Sequence, residues 1–262
     1  MSTRPEYRPD WRLPPGVPRG LWDYMTADHI AGGYDASLTD DNLCRFDMEV
    51  ARRVCDPPGL VADLGCGTGR AVLELARRGH RGLAVDLSLP MLRIVARQAT
   101  LEQLPVVVIR ANLVELSGIG DQSVDNALCL YSTLGMIRGR DSRQAFLRHV
   151  RRIVRPDGAF VLHVHNLWSN LWHSAGRQWL WTHFMKLARR SDLDLGDKQQ
   201  TIHGVPHVLL HLFTRRQLQR ELHDGGWRIA EMIPLCRAHR KRLSASRFFP
   251  DVRANGWIVV CR

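Results

Sequence analysis

The chain has 262 residues, 45% hydrophobic and 24% charged, which fits a globular protein and excludes collagen-like, disulfide-scaffold and wholly disordered classes. A formal net charge of +11 comes from 37 basic and 26 acidic residues, and only three of the basic residues are lysine (Lys186, Lys198 and Lys241). The six cysteines (Cys44, Cys55, Cys66, Cys129, Cys236 and Cys261) show no C-x-x-C pair and no zinc spacing, so they read as reduced thiols, with no metal site expected. No stretch reaches the roughly 18 apolar residues of a membrane span, and a polar start without an apolar signal core points to the cytoplasm.

The arginine bias has two readings, phosphate recognition by planar guanidinium forks and the coding habit of a GC-rich genome. Its distribution is informative: residues 1–60 carry a net −3, residues 61–213 a net +7 and residues 214–262 a net +7, so the excess is densest at the C-terminal end.

In chain order, Pro5, Pro9, Pro14, Pro15 and Pro18 make residues 1–20 an extended, flexible lead-in to a single domain over 21–262. Residues 21–56 read as an aromatic, acidic flap followed by a helix, Asn42 to Cys55, stopped by Pro57-Pro58-Gly59. A β/α alternation follows. Strands are expected at Leu60 to Leu64, Gly82 to Val85, Pro105 to Ile109, Val124 to Leu130 and Gly158 to Val164, with helices at Arg70 to Arg78, Pro90 to Thr100 and Ser142 to Val154. Strands alternating with helices imply an α/β fold, a mostly parallel sheet with helices on both faces.

Residues 166–200 break the rhythm with Trp168, Trp172, Trp179 and Trp181, read as a helical insertion whose tryptophans either bury against the sheet or line an acceptor pocket. Thr214 to Gly225 has a threonine N-cap and a glycine stop, as a helix requires. Trp227 to Leu235 and Trp257 to Cys261 read as closing strands joined by a basic loop.

The chemistry is concentrated in Val61-Ala62-Asp63-Leu64-Gly65-Cys66-Gly67-Thr68-Gly69-Arg70, a strand entering a glycine loop and then a helix. Glycines at alternate positions let the chain turn sharply and let a ligand approach main-chain amides. A nicotinamide-dependent Rossmann oxidoreductase uses such a loop for pyrophosphate, but the spacing here is G-x-G-x-G, and Asp63 would repel a pyrophosphate while suiting a cationic amino group. The second strand ends in Ala84-Val85-Asp86-Leu87-Ser88, where a carboxylate can accept both hydroxyls of a ribose.

VADLGCGTGR followed by AVDLS resembles the first two signature segments of the class I S-adenosylmethionine-dependent methyltransferases, and RANLVEL, DQSVDNALCLYSTLGMI and RRIVRPDGAFVLHVHN resemble the later ones in order. The resemblance implies a Rossmann-like seven-stranded sheet of order 3-2-1-4-5-7-6 with the last strand antiparallel. It also implies that Asp63, Gly65, Cys66, Gly67, Thr68 and Gly69 border the methionine half of S-adenosyl-L-methionine. Asp86 would take the ribose, Leu87 and Met91 would flank the adenine, and Asn112, Leu113 and Leu130 would complete the pocket. Asn112 stands where the family often has aspartate. Tyr34-Asp35 resembles a pair that small-molecule members place over the cofactor.

The acceptor is expected to be a small molecule, methylated on O, N or C, with Tyr131 and His165 at the strand ends as candidate catalytic groups. His163 and His165 share one strand face. The basic C-terminal stretch, with Arg237, Arg240, Lys241 and Arg242, resembles the tRNA wobble-uridine carboxymethyl methyltransferases and makes RNA the alternative acceptor. A nicotinamide-dependent oxidoreductase and a non-catalytic cofactor-binding subunit are the readings from other classes. The oligomeric state is open.

Overall fold

The computed structural model describes residues 8–27, 30, 42–188, 194–236 and 249–262. Tyr34-Asp35 and the basic residues Arg237, Arg240, Lys241 and Arg242 lie outside the described residues. The central element is a seven-stranded sheet of strands β1 (Leu60–Leu64), β2 (Arg81–Asp86), β3 (Val106–Arg110), β4 (Val124–Cys129), β5 (Val154–His165), β8 (Ile229–Pro234) and β9 (Gly256–Cys261). Their order is β3-β2-β1-β4-β5-β9-β8. Strands β3, β2, β1, β4 and β5 pair in parallel, and β9 is antiparallel to both β5 and β8. This is the expected topology; the last two strands are numbered eight and nine because a separate hairpin precedes them.

The helices are α1 (Arg19–Thr26), α2 (Asn42–Cys55), α3 (Arg70–Arg77), α4 (Leu89–Leu101), α5 (Thr133–Met136), α6 (Arg140–Ile153), α7 (Ser174–Leu187), α8 (Arg215–Asp224) and α9 (Pro250–Arg253). Burial on both faces explains the near-continuous apolar strands, of which β9 is buried at every position. One face packs Phe146, Leu147, Val150 and Ile153 of α6 with Leu218 and Leu222 of α8 against the sheet. The other packs Met48, Ala51 and Cys55 of α2 with Ala71 and Leu75 of α3.

Two segments differ from the sequence reading. Residues 8–20 are no free lead-in: Asp10–Arg12 forms a 3-10 turn, α1 begins at Arg19, and Pro18 sits at the N-cap, where a missing N–H costs nothing. The 166–200 insertion is helical only to Leu187 and ends in β6 (Asp197–Ile202), which pairs with β7 (Val205–His211) as a hairpin. His203 and Gly204, both at positive φ, make its two-residue turn. The insertion's tryptophans do not form a buried block either: Trp181 is 70% and Trp172 43% exposed, and Trp179 stacks on His183. The unbroken polar run Asp197 to Thr201 masked β6 in the sequence, and the strand forms because β7 offers a partner.

Among the described residues, no helix is long and apolar enough to cross a membrane. Cys55, Cys66, Cys129 and Cys261 form no disulfide.

Candidate cofactor site

The order β2-β1-β4 places the chain reversal of this sheet between β1 and β4, and open α/β sheets bind ligands at the carboxyl ends of strands beside such a point. A cavity lies there, with an empty volume of about 1120 Å3 including its mouth, large enough for a cofactor-sized molecule. Its floor is the loop after β1. Gly65, Gly67 and Gly69 take φ of 77°, 54° and 80°, the left-handed region that glycine enters without strain. At Gly65 sterics add to the conformation, since a Cβ there would stand 2.3 Å from Thr133 Cγ2.

Asp86, at the tip of β2, closes the floor. Its Oδ2 accepts Gly67 N–H at 2.9 Å and its Oδ1 accepts Ser88 N–H at 2.8 Å. Each oxygen keeps a lone pair, and the residue lines the cavity, so the carboxylate both shapes the loop and remains able to accept hydroxyls. Burial raises its pKa against the pull of these amides.

Asp63 sits beneath the N-terminus of α3, where Val72 N–H donates to its Oδ2 at 3.2 Å. The helix has no side-chain cap of its own at Gly69, so this strand carboxylate satisfies one of its orphan donors from a distance. Burial pushes the Asp63 carboxyl from 3.8 up to about 7, the Val72 N–H pulls it down and the nearby Asp86 charge adds to the rise. A carboxyl raised on folding favours the fold while protonated. That contribution is complete below about pH 4 and is lost as pH rises through about 7. Asp63→Asn should therefore raise the Tm of the ligand-free protein by several degrees at about pH 8 and leave it unchanged at about pH 4. Thermal unfolding across that range checks it, and a Tm difference independent of pH would refute the assignment. Cys66 beside the loop is no nucleophile, because burial drives its thiol pKa up.

Leu87, Met91, Asn112 and Leu113 line one wall, and Leu130 and Tyr131 the other. Asn112 is already engaged, its Nδ2 donating to Pro15 O at 2.9 Å and its Oδ1 accepting Val114 N–H at 3.3 Å. Tyr131 and Ser132 take φ of 53° and 65°, two successive non-glycine residues in the left-handed region at the end of β4, a conformation held only when packing enforces it. The Ser132 Oγ accepts His165 N–H at 3.3 Å.

Of the two candidate catalytic groups, Tyr131 lines the cavity and His165 is not among the residues lining it. The His165 ring stands edge-on to His163, 5.3 Å between centroids, and His163 in turn meets Asp47 at 3.0 Å with both side chains fully buried.

The roof begins earlier than the flap expected from Leu21 onward. Gly16, Val17, Leu21, Tyr24 and Met25 line the cavity from above. The strap is fastened by Asn112 to Pro15, by Arg138 N–H to Gly16 O at 2.8 Å and by Ser88 Oγ to Met25 O at 2.6 Å. The close fit of Gly20 against the His207 carbonyl, where a Cβ would approach to 2.2 Å, seats α1 on β7.

The fold and the loop define a class. The chain matches a family described as methyltransferase domain over residues 61–158 and has the fold of solved S-adenosylmethionine-dependent methyltransferases. It is similar to a protein of Geobacillus sp. (strain WCH70) that bears a provisional methyltransferase name, 28% identical over 138 residues, 52% of each chain. The chain spans about half the length of the curated relatives it matches. Among solved structures it is similar to a SAM-dependent methyltransferase of Methanosarcina mazei, with a TM-score of 0.64, 19% identity and coverage of 81% of this chain and 95% of that one. It is also similar to the 1,6-didemethyltoxoflavin-N1-methyltransferase of Burkholderia thailandensis, solved with 1,6-didemethyltoxoflavin and S-adenosylhomocysteine. There the TM-score is 0.62, the identity 20% and the coverage 95% and 92%.

Proposed function

We propose that this protein transfers the methyl group of S-adenosylmethionine to a small-molecule acceptor held beneath the N-terminal strap. The observation that carries the reading is Asp86 Oδ2 on Gly67 N–H. That amide belongs to the loop which, in a nicotinamide enzyme, would face a pyrophosphate; here a carboxylate occupies it and a second carboxylate, Asp63, lies behind. Two buried carboxyls suit a ribose and an ammonium and oppose a diphosphate. The glycine floor fits a cofactor that lies against the main chain, since a Cβ at Gly65 would strike Thr133.

When bound, the sulfonium supplies an already activated methyl group, so the protein's task is to orient and to exclude water. Asp86 would hold the ribose, Asp63 the amino group, and Leu87, Met91 and Leu113 the adenine edge. Val17, Leu21, Met25, Met136 and Ile137 make the remaining surface apolar and keep water from the reacting atoms. Of the candidate catalytic pair, Tyr131 is the one whose place in the cavity lining supports a role at the acceptor. A strap over the cavity favours a small acceptor, and the N1-methyltransferase that the fold resembles was solved with the small molecule 1,6-didemethyltoxoflavin bound.

Calorimetry with S-adenosylmethionine, S-adenosylhomocysteine and NADH tests the reading. The first two should bind with a 1:1 stoichiometry and NADH should not. Binding of NADH alone would replace methyl transfer by nicotinamide chemistry.

A further inference from the structure

A second cavity opens on the far side of the strap. Pro18 and Arg138 line it, while Gly16, Val17 and Ile137 line the cofactor cavity, so the two spaces are separated by the thickness of one chain. The remainder of its wall comes from α7 and the β6–β7 hairpin, including Trp179, Lys186, His207 and Leu209.

Charge and shape there are unbalanced. Arg138 and Lys186 are both exposed, and neither meets a carboxylate among the described residues. Arg52, Arg77, Arg140 and Arg155, by contrast, each meet one. The carboxylate in the wall, Asp197, is taken by His211, whose Nδ1 lies 2.6 Å from its Oδ1 with the histidine side chain fully buried. His207 stands at φ 59°, a left-handed conformation for a non-glycine residue, with its carbonyl against Gly20. Leu209, Pro18 and the edge of Trp179 supply apolar surface beside the cations; the Trp179 faces are engaged by His183 and the Lys198 ammonium.

We propose that this second cavity binds a small organic anion, a carboxylate or phosphate monoester with a short apolar body, its charge held between Arg138 and Lys186 and its body against Leu209 and the Trp179 edge. Two exposed cations lining one cavity without carboxylate partners among the described residues lose little on desolvation when an anion neutralises them, and the apolar wall adds buried area that a free inorganic ion would not use. The site is separate from the glycine loop, so its occupancy does not depend on methyl transfer.

Benzoate and phenyl phosphate serve as probes and benzyl alcohol as the neutral control, with the indole N–H resonance of Trp179, assigned by its loss in Trp179→Phe, as the readout. Both anions, or one of them, should shift that resonance saturably in the millimolar range or tighter, and the alcohol should not. The tighter of the two anions identifies the headgroup. The double variant R138E/K186E should weaken the binding at least tenfold while keeping the wild-type Tm, because both side chains are exposed. No saturable shift with either anion, an equal shift with benzyl alcohol, or unchanged affinity in the double variant would each overturn the proposal. Calorimetry with S-adenosylhomocysteine on the same sample separates the two readings: it reports the cofactor cavity whatever the anions do.

Discussion

Arg143→Met should destabilise the protein by about 3–5 kcal/mol, the cost of leaving a buried charge without its partner. Arg143 on α6 is fully buried, and its Nε and Nη2 donate to the two oxygens of Glu221 on α8 at 2.9 and 3.0 Å. Glu221 is itself only 1% exposed. The same Nη2 reaches Asp194 at 3.2 Å, just before the β6–β7 hairpin, so one guanidinium ties the sheet's covering helices to the insertion. Gln144 and Gln217 also bond Glu221, through its carbonyl and its Oε1. A methionine fills similar volume but leaves the carboxylate charged in an apolar setting or forces it to take up a proton. Removing both charges in Arg143→Met/Glu221→Leu should recover most of the loss, since a buried ion pair often breaks even against well-packed apolar side chains. Urea unfolding of the three variants at neutral pH decides the matter. A single-variant cost below about 1 kcal/mol would show that the pair is solvated.

Asp86→Ala should weaken S-adenosylhomocysteine binding by about 100-fold or more, because one substitution removes the proposed ribose acceptor and both amide anchors of the site. Without Asp86 the Gly67 and Ser88 amides lose their acceptors, so the loop after β1 and the turn after β2 lose their fixed separation. Asp86→Asn keeps one carbonyl oxygen and should lose less. Titration calorimetry with S-adenosylhomocysteine measures both. To separate ribose contact from loop order, the same pair is titrated with an analogue lacking the ribose hydroxyls, for which Asp86→Ala should cost markedly less. An affinity within about threefold of wild type would remove Asp86 from the site.

The portion of the site readable in the sequence is the portion that local geometry dictates. Gly65, Gly67 and Gly69 follow an apolar strand and precede a helix, and their positive φ values are a property of the turn itself. Asp86 could be placed because a strand end fixes where its side chain emerges, whereas Leu87, Met91 and Leu113 came from the family resemblance, and all four line the cavity. Asn112 was legible as a wall residue, but its bond to Pro15 was not, since the two are 97 positions apart. Tyr24 falls in the aromatic stretch that reads as a flap, whereas Gly16 and Val17 carried no signal beyond prolines that suggested an unstructured start. His165 shows the limit of face periodicity. Alternation correctly placed it beside His163, but which residues line the cavity depends on how the end of β4 turns at Tyr131 and Ser132.

By itself the sequence determined the β/α alternation, the glycine loop, the carboxylates on β1 and β2 and the presence of two closing strands. Each arises from periodicity, turn chemistry or strand ends within a few residues, where the backbone has few alternatives. Only the tertiary structure decided that residues 8–27 close over the loop, that β6 and β7 pair, that Arg143 reaches Glu221 and that Arg138 and Lys186 share a second cavity. These depend on partners that local pattern does not name, most of them far apart in the chain and, for the polar β6, the neighbouring β7. A segment of this kind takes one conformation only when the burial and hydrogen bonding offered by its partner outweigh the entropy of ordering it.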